Sequence, residues 1–108
     1  MQTREQQSED AMELFLMSIR AEETKERYRQ RFIYFCRNLV IIPQQVAELG
    51  KKDPDGLKNV IITFIKFLRE RVDKGEIRAS TMAENIKPIK LFCEMNDIAI
   101  NWKKLNSV

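Results

Sequence analysis

The 108-residue sequence contains no histidine, three glycines, three prolines and two cysteines. Without histidine, the commonest general base of enzymes is missing, and so is any Ser–His or Cys–His pair. None of the glycines belongs to a GxGxxG or GxxxxGK[ST] loop of the kind that cradles phosphates. We therefore predict that this chain is not an enzyme and that it has no catalytic residue, cofactor or small-molecule substrate.

Metal sites and membrane segments also find no support in the sequence. Cys36 and Cys93 lie inside apolar helical patterns and lack the spacing of metal ligands, so we interpret them as buried free thiols in a reducing cytosol. The longest uncharged stretch, NLVIIPQQVA, is too short and too polar to span a bilayer, and the first ten residues include no apolar signal segment. The sequence thus predicts no metal, no membrane partner and a cytoplasmic location.

The composition is that of one folded domain. The chain is 44% hydrophobic and 32% charged, and its length is close to the commonest domain size. The net charge of +3 mildly favours anionic partners. We predict a flexible N-terminus over residues 1–8 and one helical domain over residues 9–105.

Hydrophobic periodicity predicts an all-α protein, a single compact bundle of four to five helices. The predicted helices cover about residues 9–20, 22–39, 54–74 and 79–96. Ser8 is a candidate N-cap of the first helix, and residues 44–49 could form one further helical turn. Phe67 is counted with the apolar face of the third helix, and Trp102 is expected to anchor the end of the chain.

Individual residues indicate where the later helices begin and end. Asp53 suits the N-cap and Pro54 the first position of the third helix, and Gly75 is placed as the residue that terminates it. Thr81 and Glu84 have the spacing of a capping box at the start of the fourth helix.

The stretch EETKERYRQRFIYFCRNL, residues 22–39, combines five basic residues with four aromatic ones. Its apolar residues form one stripe of a helix, which predicts the buried face: Tyr28, Phe32, Phe35, Cys36 and Leu39. A second stripe runs beside it: Thr24, Arg27, Arg31 and Tyr34. The second stripe is either a face that binds nucleic acid or a solvated face whose arginine stems cover the edge of the core.

The fourth predicted helix repeats this arrangement. Lys87 and Lys90 lie on one exposed stripe, and Ser80 and Thr81 lie near the start of the helix. Hydroxyl groups and free amides at a helix start suit phosphate oxygens, and cations one turn later suit the same backbone. A solvated face remains the alternative for this helix too.

Three segments resemble a known family. TKERYRQRFIYF matches the pattern T-x-x-x-Y-x-x-x-(apolar)-x-x-F of the core-binding domain of tyrosine recombinases, the phage integrase family. STMAENIKPIKLFCEMNDIAINW resembles the last helix of that domain, and VIITFIKFLRERVDKGEIRAS resembles its middle helix and the following turn. The resemblance implies a SAM-like, all-α, N-terminal DNA-binding domain of a recombinase, whose catalytic tyrosine belongs to a separate domain absent from this chain.

The resemblance also implies the DNA-facing residues. They are Thr24, Lys25, Arg27 and Arg31 on one helix and Ser80, Thr81, Lys87 and Lys90 on the other. The implied partners are double-stranded DNA, a C-terminal catalytic domain and other recombinase subunits. Two departures concern the last helix, because Glu84 and Asn85 stand where the family often has basic residues, and Pro88 predicts a bend.

Two other functions are compatible with a small helical bundle. A protein-interaction module without DNA binding would offer an apolar surface, for which Leu91 and Met95 lie away from the main core stripe. A helix-turn-helix regulator is the less favoured alternative, because the turn DKGEIRAS is long for that motif.

Overall fold

The computed structural model describes the backbone of residues 4–106 and the side chains of residues 11–105. Within these residues the chain forms six α-helices and no strand, which confirms the all-α class. The helices are α1 (Arg4–Met17), α2 (Glu22–Leu39), α3 (Pro43–Lys52), α4 (Pro54–Asp73), α5 (Ala79–Met95) and α6 (Trp102–Asn106). The four helices predicted from periodicity correspond to α1, α2, α4 and α5.

The first helix begins and ends earlier than its apolar pattern predicted. α1 starts at Arg4 and stops at Met17, so Ser8 lies inside the helix and is not its N-cap. Residues 1–3 lie outside the described part of the chain. A flexible segment over residues 1–8 therefore stays a prediction.

Residues 44–49, predicted to form at most one helical turn, belong to a full helix, α3. The Gln45 side chain accepts a hydrogen bond from the Ile42 amide at 2.9 Å, which closes the first turn. Gly50 lies inside α3, where an added Cβ would stand 2.7 Å from Cδ1 of Ile98. This glycine allows α3 to approach the end of α5 closely, so it serves packing and does not break the helix.

The boundaries predicted for α4 are confirmed. Asp53 Oδ1 accepts the Gly56 amide at 3.0 Å, and Pro54 occupies the first position of the helix. Gly75 follows the helix in the left-handed conformation, with φ at 74°, and its amide donates to the Val72 carbonyl. Local sequence was sufficient here because both caps involve near neighbours.

α5 opens at the predicted segment ASTMAE, but the capping box predicted there is wrong. The helix begins at Ala79, and the Thr81 amide already donates to the Arg78 carbonyl at 3.0 Å within its first turn. Thr81 and Glu84 form no capping box, because the Glu84 carboxylate accepts hydrogen bonds from Arg31 and Lys87 instead. The helix continues through Pro88, and a bend there stays a prediction.

α2 ends on a residue that rarely adopts the required conformation. Val40 has a φ of 56° and is 89% exposed. Its amide and that of Ile41 donate to the carbonyls of Arg37 and Cys36, which terminates the helix as a glycine usually does. A β-branched residue in the left-handed region is strained, and the exposed side chain gains little packing in return.

Five buried phenylalanines hold the bundle together: Phe15, Phe32, Phe35, Phe64 and Phe92. The rings of Phe32 in α2 and Phe92 in α5 stack with centroids 4.1 Å apart, and Phe15 of α1 packs against both. Phe35 meets Phe64 of α4 edge-on at 5.1 Å. The aromatic cluster therefore holds α2 against α5 and so fixes the relative position of their exposed faces.

Smaller contacts complete the core. Cys36 and Cys93 are buried free thiols, as predicted. The buried Asn96 donates to the carbonyl of Ala11 at 3.2 Å and so ties the end of α5 to α1. Leu105 is buried, whereas Trp102 is half-buried, so α6 is anchored mainly by the leucine.

Candidate nucleic-acid interface

The two basic stripes meet at one carboxylate. Arg31 Nη1 of α2 donates to Glu84 Oε2 at 3.0 Å, and Lys87 Nζ of α5 donates to Glu84 Oε1 at 3.1 Å. Arg27 lies one turn before Arg31 on the same side of α2, and Lys90 lies one turn after Lys87 on α5. We call the surface formed by Arg27, Arg31, Lys87 and Lys90 the α2–α5 basic face.

The placement of this face follows from the core beneath it. Phe32 is fully buried and stacks on Phe92, so the preceding residue, Arg31, emerges at the edge of the contact between the two helices. The Arg31 side chain is 28% exposed, as expected for a stem that covers apolar surface while its head reaches solvent. Helical geometry therefore places the basic stripe of α2 directly beside its buried stripe.

The outer members of the face are more accessible. Arg27 and Lys90 are both exposed, and neither makes an ion pair with another side chain among residues 11–105. Their charges are therefore open to a ligand in solution. Arg31 and Lys87, in contrast, are already engaged with Glu84.

Lys25 lies apart from this shared contact. It pairs with Glu22 at 3.4 Å and, with Arg29, borders a groove of about 490 Å³ between α1 and α2. The apolar residues that line this groove include Met12 and Leu16. Of the four α2 residues predicted to face DNA, Lys25 thus belongs to the flank next to α1.

The predicted hydroxyl residues lie in the first turns of their helices. Ser80 is exposed and Thr81 half-buried in α5, and Thr24 is half-buried in α2. Arg78 precedes α5 in an extended conformation and its side chain makes no capping hydrogen bond. No N-cap side chain therefore occupies the first amides of α5, and those of Ala79 and Ser80, which precede the bonded Thr81 amide, could donate to an anion.

A third helix adjoins the α2 stripe, which the sequence did not indicate. Arg71 of α4 donates to the Tyr34 hydroxyl at 3.0 Å, pairs with Glu76 at 3.2 Å and has its guanidinium carbon 5.9 Å from the centre of the Phe67 ring. Phe67 is 38% exposed, so its assignment to a buried face is wrong. In the sequence, the contact between Arg71 and Phe67 was indicated only by their spacing of one helical turn.

The electrostatics of the basic face centre on Glu84. Hydrogen bonds from Lys87 and then Arg31 lower the pKa of the Glu84 carboxyl below its usual value. The carboxylate is therefore charged at neutral pH, and two of the four cations of the α2–α5 basic face, Arg31 and Lys87, contact it directly. Such a surface can bind phosphate, but its central cations are partly neutralised.

Comparison of the chain with protein-family models, with curated proteins and with solved structures gives no match in any of the three. The resemblance to recombinase core-binding domains, and the roles it implies, therefore stay predictions. Across the described helices, none combines the length and the apolar character needed to cross a bilayer. Between residues 11 and 105, no group of three or more metal-binding side chains comes together.

Proposed function

We propose that this chain is a double-stranded DNA-binding module that clamps the DNA backbone against the α2–α5 basic face, as the core-binding domain of a tyrosine recombinase would. The supporting observation is that Arg31 and Lys87, on different helices, share the carboxylate of Glu84. Two basic stripes that sequence periodicity identified separately thus form one surface. Duplex DNA presents phosphates along two strands and suits such a paired arrangement.

Phosphate contacts would supply most of the affinity and little sequence preference. Arg27 and Lys90 are exposed and have long side chains, so they are the first candidates for these contacts. The same two residues could reach guanine O6 and N7 in the major groove, which arginine and lysine favour. Ser80 and Thr81 would add hydrogen bonds to the backbone from the start of α5.

The proposal assigns strand cleavage to partners. A separate catalytic domain would cut and rejoin the DNA, and other recombinase subunits would complete the assembly. In this arrangement the chain is non-catalytic, cytoplasmic and associated with DNA. Its contribution is affinity and orientation on the duplex.

The test is the binding of a fluorescently labelled duplex by wild type, by Arg27→Ala/Lys90→Ala and by a matched control, Lys51→Ala/Lys52→Ala. The control removes two exposed cations from α3 and so changes the net charge equally. If about 4–6 phosphates are neutralised, log K of the wild type should fall against log salt with a slope of about −4 to −5. Loss of two contacts should make the slope shallower by about 2 and weaken binding roughly tenfold or more near 0.15 M salt.

The control variant should bind as the wild type does, and both variants should keep the helical circular dichroism of the wild type. A wild-type slope near zero would remove the electrostatic clamp. Equal weakening in the two variants would mean that net charge, and not the α2–α5 basic face, governs binding.

A protein-interaction module is the second candidate, and an apolar surface next to the groove between α1 and α2 supports it better than α5 does. Leu91 and Met95 are half-buried, and Leu91 packs against the core, so they do not form an exposed apolar face. Met17 is 67% exposed beside the groove between α1 and α2. Light scattering tests this alternative, since stable self-association without DNA would favour it over the DNA-binding proposal.

A further inference from the structure

We propose that the Glu84 carboxylate is an internal competitor for a DNA phosphate and that it sets the affinity of the α2–α5 basic face. This inference rests on the proposed DNA-binding function and specifies how that surface is regulated. In the free protein the carboxylate occupies the position between Arg31 and Lys87. In the DNA complex a phosphate takes this position and the Glu84 side chain is displaced.

The geometry of Glu84 is that of an anion held by two helices. One carboxylate oxygen accepts from Arg31 of α2 at 3.0 Å and the other from Lys87 of α5 at 3.1 Å. A phosphate group also presents several charged oxygens and could satisfy the same two donors. By comparison, the pair Lys25–Glu22 joins neighbours on a single helix and brings no second helix to the anion.

The contact is also accessible from solvent. The side chains of Glu84 and Lys87 are 39% and 58% exposed, so a phosphate can approach both and the carboxylate has room to rotate away. Exposed ion pairs are held weakly, because water and salt screen them. Exchange of one anion for another at this position therefore requires no change in the core.

The charge on Glu84 makes the competition effective. Its carboxylate is ionised at neutral pH, as the cations beside it require, and it repels any phosphate that approaches them. Replacing it by glutamine removes the charge but keeps the size of the side chain and one oxygen acceptor. Arg31 and Lys87 would then both be available to DNA.

The experiment compares duplex binding by the wild-type chain, Glu84→Gln and a matched control, Glu48→Gln. Glu48 is exposed on α3 and borders a groove with Asn96, which lies at the opposite end of α5 from Glu84. Both substitutions raise the net charge by one unit. We expect Glu84→Gln to bind about 3- to 10-fold more tightly near 0.15 M salt, with a salt slope steeper by about 0.9, and Glu48→Gln to match the wild type.

Three results would overturn the inference while leaving DNA binding intact. Weaker binding by Glu84→Gln would mean that the carboxylate organises the two cations for DNA and does not compete with it. Unchanged binding would mean that Glu84 does not lie in the path of a phosphate. Equal tightening by both variants would reduce the effect to net charge. If the wild-type chain itself does not bind duplex DNA, the proposed function fails first, and this inference fails with it.

Discussion

The contact between α2 and α5 has a buried side and a solvent side, and the two differ in kind. On the buried side, Phe32 and Phe92 stack with their ring centres 4.1 Å apart. On the solvent side, Arg31 and Lys87 meet at Glu84. Buried aromatic packing contributes several kcal/mol, whereas exposed ion pairs contribute little to folding. The helices therefore stay together while the charges above them are free to exchange partners.

The largest expected effect comes from breaking the buried side. Phe32→Ala should lower the free energy of unfolding by about 3–5 kcal/mol, because it opens a cavity among the stacked rings. Urea denaturation followed by circular dichroism measures this loss. The matched control is Phe67→Ala, which removes the same ring from a 38% exposed position and should cost at most about half as much. Equal losses would mean that the aromatic cluster does not hold the two helices together.

A smaller change in the free energy of unfolding is expected at the end of α2. A substitution there alters neither the buried side nor the solvent side of the α2–α5 contact. Val40→Gly should raise the free energy of unfolding by about 1 kcal/mol, because glycine adopts the left-handed conformation without strain. Gly75→Ala is the opposite change at the end of α4, where φ is also positive, and should destabilise by a similar amount. Urea denaturation measures the free energy of unfolding of both variants. Destabilisation by Val40→Gly would contradict the assignment of strain to Val40. Duplex affinity should not change in either.

The smallest effect concerns the solvent side alone. Lys87→Ala should raise the pKa of Glu84 back towards its usual value of 4.5, since the hydrogen bond from Lys87 is the largest cause of the lowered pKa. Carbon-13 NMR of the side-chain carboxyl during acid titration measures the shift. Lys90→Ala is the control and should leave that pKa unchanged. The same shift in both variants would show that a general positive field, and not the direct contact, lowers the pKa.

The sign of the linked stability effect follows from the lowered pKa. The contribution of the Glu84 contacts to the free energy of unfolding is fully present above pH 4.5. It is lost as the pH falls through the lowered pKa of Glu84 in the folded state. The difference in stability between wild type and Lys87→Ala should therefore disappear in acid. The deficit of Phe32→Ala should persist there, because no titrating group takes part in that contact.

Sequence patterns were sufficient to predict helix spans and helix ends wherever these depend on residues close together in the chain. The span of α2 follows from its apolar stripe, and both ends of α4 follow from Asp53, Pro54 and Gly75. The length of α3 was underestimated as one turn, because proline and glycine, here Pro43 and Gly50, usually break helices. Their actual roles, a first-turn proline and a close approach to the end of α5, depend on the fold.

The candidate site shows the same division between local and distant information. Periodicity identified each basic stripe but could not show that the two stripes meet. Glu84 was assigned to a capping box, whereas its arginine partner is 53 residues away along the chain. The contact of Arg71 with Tyr34, 37 residues apart, was likewise invisible from local spacing.

The buried thiols have a practical consequence. Burial raises the pKa of Cys36 and of Cys93 to about 12, so both stay protonated at neutral pH and react slowly with alkylating reagents. Val40 is almost fully exposed at the tip between α2 and α3. A fluorophore attached through Val40→Cys would therefore label one defined position against a nearly silent native background and leave the charged surface untouched.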